Sequence, residues 1–153
     1  MKEYLSALHY LVERRYNPLG PFVQAYHETN GFKSSLCTHF NYAGMKPNKA
    51  WKGDVVEKKT FEYEKGKRVD QVATFKGFPN ALAFMANYDE RIQLLYPESY
   101  VNRGEVLKYF VGLQSGKNQW ATDPSYVPEL TALYRKLLAN TEIMSSLTNI
   151  QVV

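Results

Sequence analysis

The sequence predicts an α+β fold that is mainly α, with a helical body and one small antiparallel β-lobe. Several segments repeat apolar residues at helical spacing, beginning with Leu5, Leu8 and Val12. Between residues 55 and 75, by contrast, β-branched and aromatic residues are mixed with charges and flank the turn sequence Lys65-Gly66-Lys67. This segment is too polar for a core sheet. We therefore expect a hairpin or a three-stranded lobe that projects from the helices.

The helices are predicted from apolar periodicity together with start and stop signals. Asn102 with Glu105 resembles a capping box, and Asp123-Pro124 has a cap residue before a proline at a first helical position. The predicted elements are a helix over residues 3–16, a helix over 21–28, a short turn at 34–36, a helix from about 80 to 96 that includes Leu82 in its apolar stripe, a helix after 102, a helix from 123 to about 140, and a short one within 141–153.

Length and charge restrict the possible functions. At 153 residues the chain has the length of one ordinary domain, and we predict a single domain over residues 1–153 with the β-lobe at about 53–76. A formal charge of +4 and a pI near 9.0 favour an anionic partner. The basic residues are spread along the chain, so we do not expect nucleic-acid binding.

The sequence also predicts no cofactor and no metal. The single cysteine, Cys37, forms no disulfide framework, and His9, His27 and His39 lack a metal-ligand spacing. No stretch has the length of a membrane span. The N-terminal residues carry charges where a signal peptide requires an apolar run, so we expect no signal peptide.

Glu28 is the candidate catalytic residue. Gly20-Pro21 begins the second predicted helix and Asn30-Gly31 ends it, which puts Glu28 in the last turn. There the helix dipole opposes a negative charge, and partial burial between Tyr26 and Phe32 would also raise the carboxyl pKa. A carboxyl that stays protonated near neutral pH is what a general acid requires. The alternative is a solvated glutamate at a frayed helix end.

Six short motifs follow the order found in one known family. They are Gln24-Ala25-x-x-Glu28-Thr29 with Ser34 downstream, Asn41-Tyr42-Ala43-Gly44-Met45-Lys46, Trp51-Lys52-Gly53, Thr60-Phe61-Glu62, Phe75-Lys76-Gly77-Phe78 and Trp120-Ala121-Thr122-Asp123-Pro124-Ser125-Tyr126. Together they resemble the bacterial endo-β-N-acetylglucosaminidases that cleave peptidoglycan, glycoside hydrolase family 73 of the lysozyme superfamily. The resemblance spans roughly residues 20 to 138. Thr29 and Phe78 depart from the usual serine and tyrosine, and residues 30–32 change the usual order of glycine and aromatic residues.

The resemblance implies a lysozyme-like catalytic domain whose β-lobe flanks a cleft. It implies hydrolysis of the β-1,4 bond between N-acetylglucosamine and N-acetylmuramic acid, with Glu28 as general acid. Glu62 matches the family's second carboxylate, although Glu57 and Glu64 lie on the same strand. Inverting, retaining and substrate-assisted mechanisms all stay open. Tyr126 matches a cleft tyrosine that would orient the N-acetyl group or the attacking water, with a packing role as the alternative.

The resemblance also implies substrate-binding positions. These are Asn41, Tyr42, Trp51 and Trp120, of which the rings of Tyr42 and Trp120 would stack on sugar faces. Asp123 is interpreted as a helix cap and not as a catalyst. The implied partner is the peptidoglycan glycan strand, whose acidic lactyl-peptide stems suit a basic protein.

Alternative functions come from other classes. A muramidase or lytic transglycosylase of the same superfamily would cut the other glycan linkage, and a non-catalytic module would bind glycan within a phage tail or secretion apparatus. We expect action on the cell wall, in a periplasmic or extracellular location. Since no signal peptide is predicted, a phage-encoded, injected or non-classically exported protein fits. The sequence leaves the oligomeric state open.

Overall fold

A computed structural model describes residues 1–152, without the side chains of residues 62, 63, 151 and 152. The described residues form a mainly helical body with one hairpin between the third and fourth α-helices. In chain order the elements are α1 Lys2–Ala7, α2 His9–Glu13, α3 Leu19–Glu28, a 3₁₀ helix Ser35–His39, β1 Val55–Glu64, β2 Lys67–Lys76, α4 Ala81–Leu95, α5 Pro97–Val101, α6 Val106–Ser115, α7 Tyr126–Leu138 and α8 Thr141–Val152.

The β-lobe is a two-stranded antiparallel hairpin. Its register runs from Val55 opposite Lys76 to Glu64 opposite Lys67. The two-residue turn places Lys65 at φ 51° and Gly66 at φ +79°, which is the backbone that a tight type I′ hairpin turn requires. Most described hairpin side chains are exposed or half-buried. The predicted projecting hairpin is therefore confirmed, with two strands and not three.

Helix α3 runs through the centre of the body. It packs against α6 and α7, and its residues from Gly20 to Ala25 are all buried. One continuous apolar cluster surrounds it and extends from α1 to α8. The last turn of α3 is half-buried at the edge of this core, so the core fixes the position of Glu28, the last residue of the helix.

Several predicted helix boundaries and caps differ from the structure. The helix expected over 3–16 is two short helices, because Leu8 donates to the carbonyl of Leu5 in a tighter turn and α2 ends at Glu13. Asn102 does not cap α6. Its side chain donates instead to the carbonyl of Glu98 in the unpredicted helix α5.

The cap predicted at Asp123 is also displaced. Helix α7 begins at Tyr126, and the carboxylate of Asp123 accepts a 2.8 Å bond from the backbone nitrogen of Ser125, so Asp123 closes the turn before the helix. The prediction that Leu82 belongs to the buried stripe of α4 is wrong, because its side chain is 47% exposed. Among the helices of the described residues, none is long and apolar enough to cross a membrane.

Candidate active site

The end of α3 is held by the residue that follows Glu28. Thr29 is buried, its hydroxyl donates to the carbonyl of Ala25 at 2.7 Å, and the same oxygen accepts the backbone nitrogen of Phe32 at 2.8 Å. These two bonds stop the helix and fold the next turn back over it. A serine hydroxyl would make the same pair of bonds, so the threonine preserves this arrangement. Glu28 is left half-buried at the helix end, as predicted.

Tyr126 meets Glu28 across the fold. Its hydroxyl donates a 2.7 Å hydrogen bond to Oε1 of Glu28. Tyr126 is the first residue of α7 and only 3% exposed. Its backbone nitrogen bonds to the carbonyl of Asp123, so the turn closed by Asp123 sets the position of the phenol.

A chain of buried polar groups continues behind Tyr126. The amide nitrogen of Gln24 donates to the Tyr126 hydroxyl at 3.2 Å, and the amide oxygen of Gln24 accepts from the Tyr88 hydroxyl. The Tyr88 hydroxyl also bonds to the Tyr109 hydroxyl. Because a phenol has one proton, and that of Tyr88 goes to Gln24, Tyr109 is the donor in this last bond. Each hydrogen bond in this series, from Tyr109 to Tyr126, is therefore donated in the direction of Glu28.

The other oxygen of Glu28 lies beside a glycine. Gly44 has φ +63°, and a Cβ atom at this position would lie 3.9 Å from Oε2 of Glu28. This backbone conformation favours glycine. The N-x-x-G loop thus contributes to the site through its backbone, at a residue whose lack of a side chain leaves room next to the carboxyl group.

Asn41 organises that loop from within the core. Its side chain is fully buried, donates at 2.9 Å to the carbonyls of Met45 and Lys76, and accepts from the backbone nitrogens of Ala43 and Met45. These bonds tie the loop beside Glu28 to the base of the hairpin. Asn41 was predicted to bind substrate, but its polar atoms are used in holding the loop, so the structure corrects its role.

Tyr42 likewise lies in the core. It is 1% exposed, and its ring packs edge-on against Tyr4 and Phe84 at 5.2 and 5.1 Å between centroids. Burial raises the pKa of Tyr42 to about 12. No ring face is open to a sugar, so the predicted stacking role of Tyr42 is wrong.

The pKa of Glu28 is raised. Burial is the largest cause, and it outweighs the hydrogen bond from Tyr126, the charge of His27 and the nearby indole of Trp120, all of which favour the carboxylate. This upward shift of the Glu28 pKa has the direction that the sequence predicts. The groups that act on the carboxyl differ from the predicted Tyr26 and Phe32, whose rings pack against each other 6.1 Å apart.

Trp120 covers one side of the site. It is half-buried, and its ring packs against Tyr88 and Tyr96. The side chain of Gln114 brackets the neighbouring residue Ala121, donating to its carbonyl at 2.8 Å and accepting from its nitrogen at 2.9 Å. The loop that carries Trp120 is therefore fixed to α6. A sugar-stacking role for this ring stays a prediction.

Trp51 lies at the base of the hairpin. It is half-buried, its indole nitrogen donates to the carbonyl of Asp54 at 2.9 Å, and its ring packs against Phe78 at 5.5 Å. The ammonium of Lys76 lies 4.7 Å from its ring centroid. Substrate binding by Trp51 stays a prediction.

The candidates for the second carboxylate all lie on strand β1. Glu62 pairs with Val69 in the hairpin register, but its side chain lies outside the described residues. Glu57 and Glu64 are both exposed. Lys58, on the same strand, donates to the hydroxyl of Ser34 at 2.9 Å, which ties the hairpin to the segment after α3.

The polar groups that support Glu28 are not evident from the sequence alone. Gln24 lies one helical turn before Glu28, and this spacing was the available signal that the two side chains share a face. Tyr88 and Tyr109 fit the apolar stripes of α4 and α6, so nothing in the sequence separated them from packing residues. In the described part of the chain, no group of three or more His, Cys, Asp or Glu residues is arranged to hold a metal ion.

A family comparison matches residues 7–139 to the glucosaminidase family, described as mannosyl-glycoprotein endo-β-N-acetylglucosaminidase. The match covers well over half of the chain. The chain belongs to the glucosaminidase family. This membership confirms the predicted family and, at the level of the family, the predicted enzyme class, a glycoside hydrolase.

A known protein with related sequence is the peptidoglycan hydrolase FlgJ of Salmonella typhimurium. It is 29% identical over 112 residues, which cover 69% of this glucosaminidase chain. The same alignment covers 33% of FlgJ, so the chain spans about one third of the length of this relative.

Solved structures agree with the fold. A peptidoglycan hydrolase mutant from Sphingomonas sp. A1 superposes with a TM-score of 0.72 at 23% identity, over 97% of this chain and 99% of the other. A C-terminally truncated glycoside hydrolase domain of Salmonella typhimurium FlgJ gives 0.65 at 25% identity, over 90% and 97%. The predicted mainly α, lysozyme-like fold with a small β-lobe is confirmed.

Proposed function

We propose that this glucosaminidase hydrolyses peptidoglycan at the β-1,4 bond between N-acetylglucosamine and N-acetylmuramic acid, with Glu28 as general acid. The observation that carries the proposal is the environment of the Glu28 carboxyl. Burial raises its pKa, and Tyr126 donates a hydrogen bond to one of its oxygens. We further propose that residues 1–153 form one catalytic domain, with the hairpin as its β-lobe.

The hydrogen bonds support Oε2 of Glu28 as the oxygen that carries the acid proton. The Tyr126 hydroxyl accepts from Gln24 and gives its only proton to Oε1 of Glu28. Oε1 is therefore an acceptor in both protonation states of the carboxyl. The proton of the acid form lies on Oε2, the oxygen beside Gly44. A leaving-group oxygen would approach the carboxyl on this side.

Tyr126 acts in this proposal as a positioning residue. It is held by Gln24 and in turn holds the orientation of the carboxyl group. Orientation matters because a general acid must lie within hydrogen-bond reach of the oxygen that it protonates.

Glu62 is proposed as the group on the opposite side of the sugar. It would activate water if the hairpin brings it within ~6.5–9.5 Å of Glu28, or attack the sugar directly at ~5 Å. In a third route the substrate's own acetamide takes this role. Glu57 and Glu64 are the alternative carboxylates on the same strand.

Purified peptidoglycan digested by wild type and by Glu28→Gln tests the proposal. The substitution keeps an acceptor for Tyr126 and removes the acid proton, so we expect hydrolysis to fall about 10²- to 10⁴-fold. Glu142→Gln, which changes an exposed glutamate on α8, is the matched control and should keep full activity.

The products separate the competing functions. Mass spectrometry should find N-acetylglucosamine at the new reducing ends. Reducing muramic acid ends would identify a muramidase, and anhydro-muramic ends a lytic transglycosylase. Undiminished lysis by Glu28→Gln would contradict a role as general acid, while binding without cleavage by wild type would indicate a glycan-binding module.

The cell wall is the proposed place of action, and the glycan strand the proposed partner. The FlgJ relative carries peptidoglycan hydrolase in its name. The net charge of +4 would favour approach to acidic stem peptides.

A further inference from the structure

Two cationic side chains meet beneath the hairpin base, outside the Glu28 site. Lys76, the last residue of β2, is 6% exposed, and its ammonium donates to the side-chain oxygen of Asn87 at 2.9 Å. Arg91 lies one helical turn after Asn87 on α4. Its Nε is buried and has no hydrogen-bond partner among the described residues. The two cations line a concavity of about 140 Å³ together with Asn48, Asn87, Glu90, Leu94 and Leu95.

The charges in this concavity are not balanced. No ion pair found in the described part of the chain includes Lys76 or Arg91. The one carboxylate in the lining, Glu90, is exposed. Burial lowers the pKa of Lys76, the positive charge of Arg91 lowers it further, and the charge of Glu90 raises it in part. Glu90 offsets only part of the charge of the two cations, so the concavity keeps an excess positive charge and is complementary to an anion.

Aromatic rings connect the concavity to the candidate active site. The Arg91 guanidinium lies 5.2 Å from the ring centroid of Trp120, and Trp120 in turn lies close enough to Glu28 to favour its charged form. The Lys76 ammonium lies over Trp51. The indole ring of Trp120 thus lies near both the concavity and the Glu28 carboxyl.

We propose that Lys76, Asn87 and Arg91 bind a carboxylate of the acidic lactyl-peptide stem on the glycan strand. The proposal rests on the proposed function. The guanidinium offers a planar fork of donors that matches a carboxylate, and Lys76 adds a point charge. A neutral polymer of N-acetylglucosamine has no group for this concavity. The cations therefore discriminate peptidoglycan from chitin-like glycans.

The test compares three substrates with wild type and Arg91→Gln. These are native peptidoglycan, the same peptidoglycan with its stem carboxylates converted to methylamides, and soluble N-acetylglucosamine oligomers. We expect Arg91→Gln to lower kcat/KM on the native wall roughly tenfold or more, mainly through KM, because a charge-assisted hydrogen bond is lost. On the two uncharged substrates it should match wild type. Equal losses on all three would overturn the proposal.

Two further arms make the outcome decisive. Arg135→Gln removes an exposed cation on α7 and should change neither substrate preference nor rate. Wild type alone should prefer the native over the amidated wall by roughly tenfold at low salt, and this preference should shrink as salt rises. This arm needs no variant, so it holds even if Arg91→Gln folds poorly. Equal wild-type rates on both walls would overturn the proposal.

The failure of this inference is distinguishable from failure of the proposed function. If wild type releases no sugar ends from any peptidoglycan, the proposed function is wrong. If wild type cleaves native and amidated walls equally well, the proposed function stands and the carboxylate site is wrong.

Discussion

The Tyr126 hydroxyl donates to Oε1 of Glu28 across 98 residues of sequence, at 2.7 Å. This bond stabilises the carboxylate and so holds the pKa of Glu28 below the value that burial alone would give. It also makes Tyr126 the structural link between the end of α3 and the start of α7.

Replacing Tyr126 with phenylalanine should shift the pH dependence of hydrolysis upward. Loss of the hydroxyl removes a bond to the charged form, so the pKa of Glu28 rises and the carboxyl stays protonated to higher pH. The basic limb of the kcat/KM profile, which reports the general acid, should therefore move to higher pH. Tyr134→Phe, on the same helix with its ring against Phe110, is the control. A basic limb that is unmoved or moves to lower pH would contradict this assignment.

Glu28→Gln should make the protein more stable at neutral pH. The folded state binds a proton at Glu28 more tightly than the unfolded state, because the folded pKa is raised. Stability from this group is thus fully present at low pH and is lost as pH rises from the unfolded pKa through the folded one.

The stability difference between variant and wild type should consequently grow with pH. Thermal unfolding at pH 4 and pH 7.5 measures it, and each kcal/mol corresponds to about 2–4 °C for a domain of this size. A melting temperature of Glu28→Gln that falls below wild type at pH 7.5 would count against a destabilising carboxylate.

Gly44→Ala should lower activity more than its effect on stability explains. The left-handed backbone costs a side-chain residue about 1–2 kcal/mol, and the new methyl would lie 3.9 Å from Oε2 of Glu28, on the side proposed for the leaving group. Gly66→Ala is a matched control, because Gly66 also has positive φ but has no side-chain or backbone atom within 4 Å of the new methyl among the described residues. Equal activity losses in both variants would refute the assignment.

Asn41→Ala should destabilise the fold by about 2–3 kcal/mol, since it leaves buried carbonyls and backbone nitrogens of the loop without partners. Urea unfolding of the variant measures this loss. Asn48→Ala, which removes one local bond from an exposed side chain, should cost much less. Similar losses for the two variants would mean that Asn41 does not hold the loop to the hairpin.

Long periodic elements could be predicted from the sequence because their signals are local. The stripe of α4 and its Asn80 cap lie within one segment, and the hairpin turn at Lys65 and Gly66 has its own residue signature. Short helices could not be predicted in this way. Helix α5 has five residues and depends on tertiary packing, where its Ser99 contacts Gly112 of α6.

The candidate site was predictable to the same extent. Glu28 follows from helix start and stop signals together with a motif, whereas its bond to Tyr126 joins residues that no local pattern connects. The sequence also could not separate core aromatics from groove aromatics. Tyr42 is in the core and Trp120 is at the site, although both are large aromatic residues within family motifs.

The hydrogen-bonded polar groups from Tyr109 to Glu28 couple the acidity of a half-buried carboxyl to the packing of the interior. Tyr109 is fully buried, and its ring lies 3.0 Å from where a Cβ at Gly20 would be. A side chain added at Gly20 would press on this ring, which is hydrogen-bonded through Tyr88 to Gln24. Substitutions in the buried core could thus change the pH at which the enzyme is active. A screen that scores only thermal stability would overlook such variants.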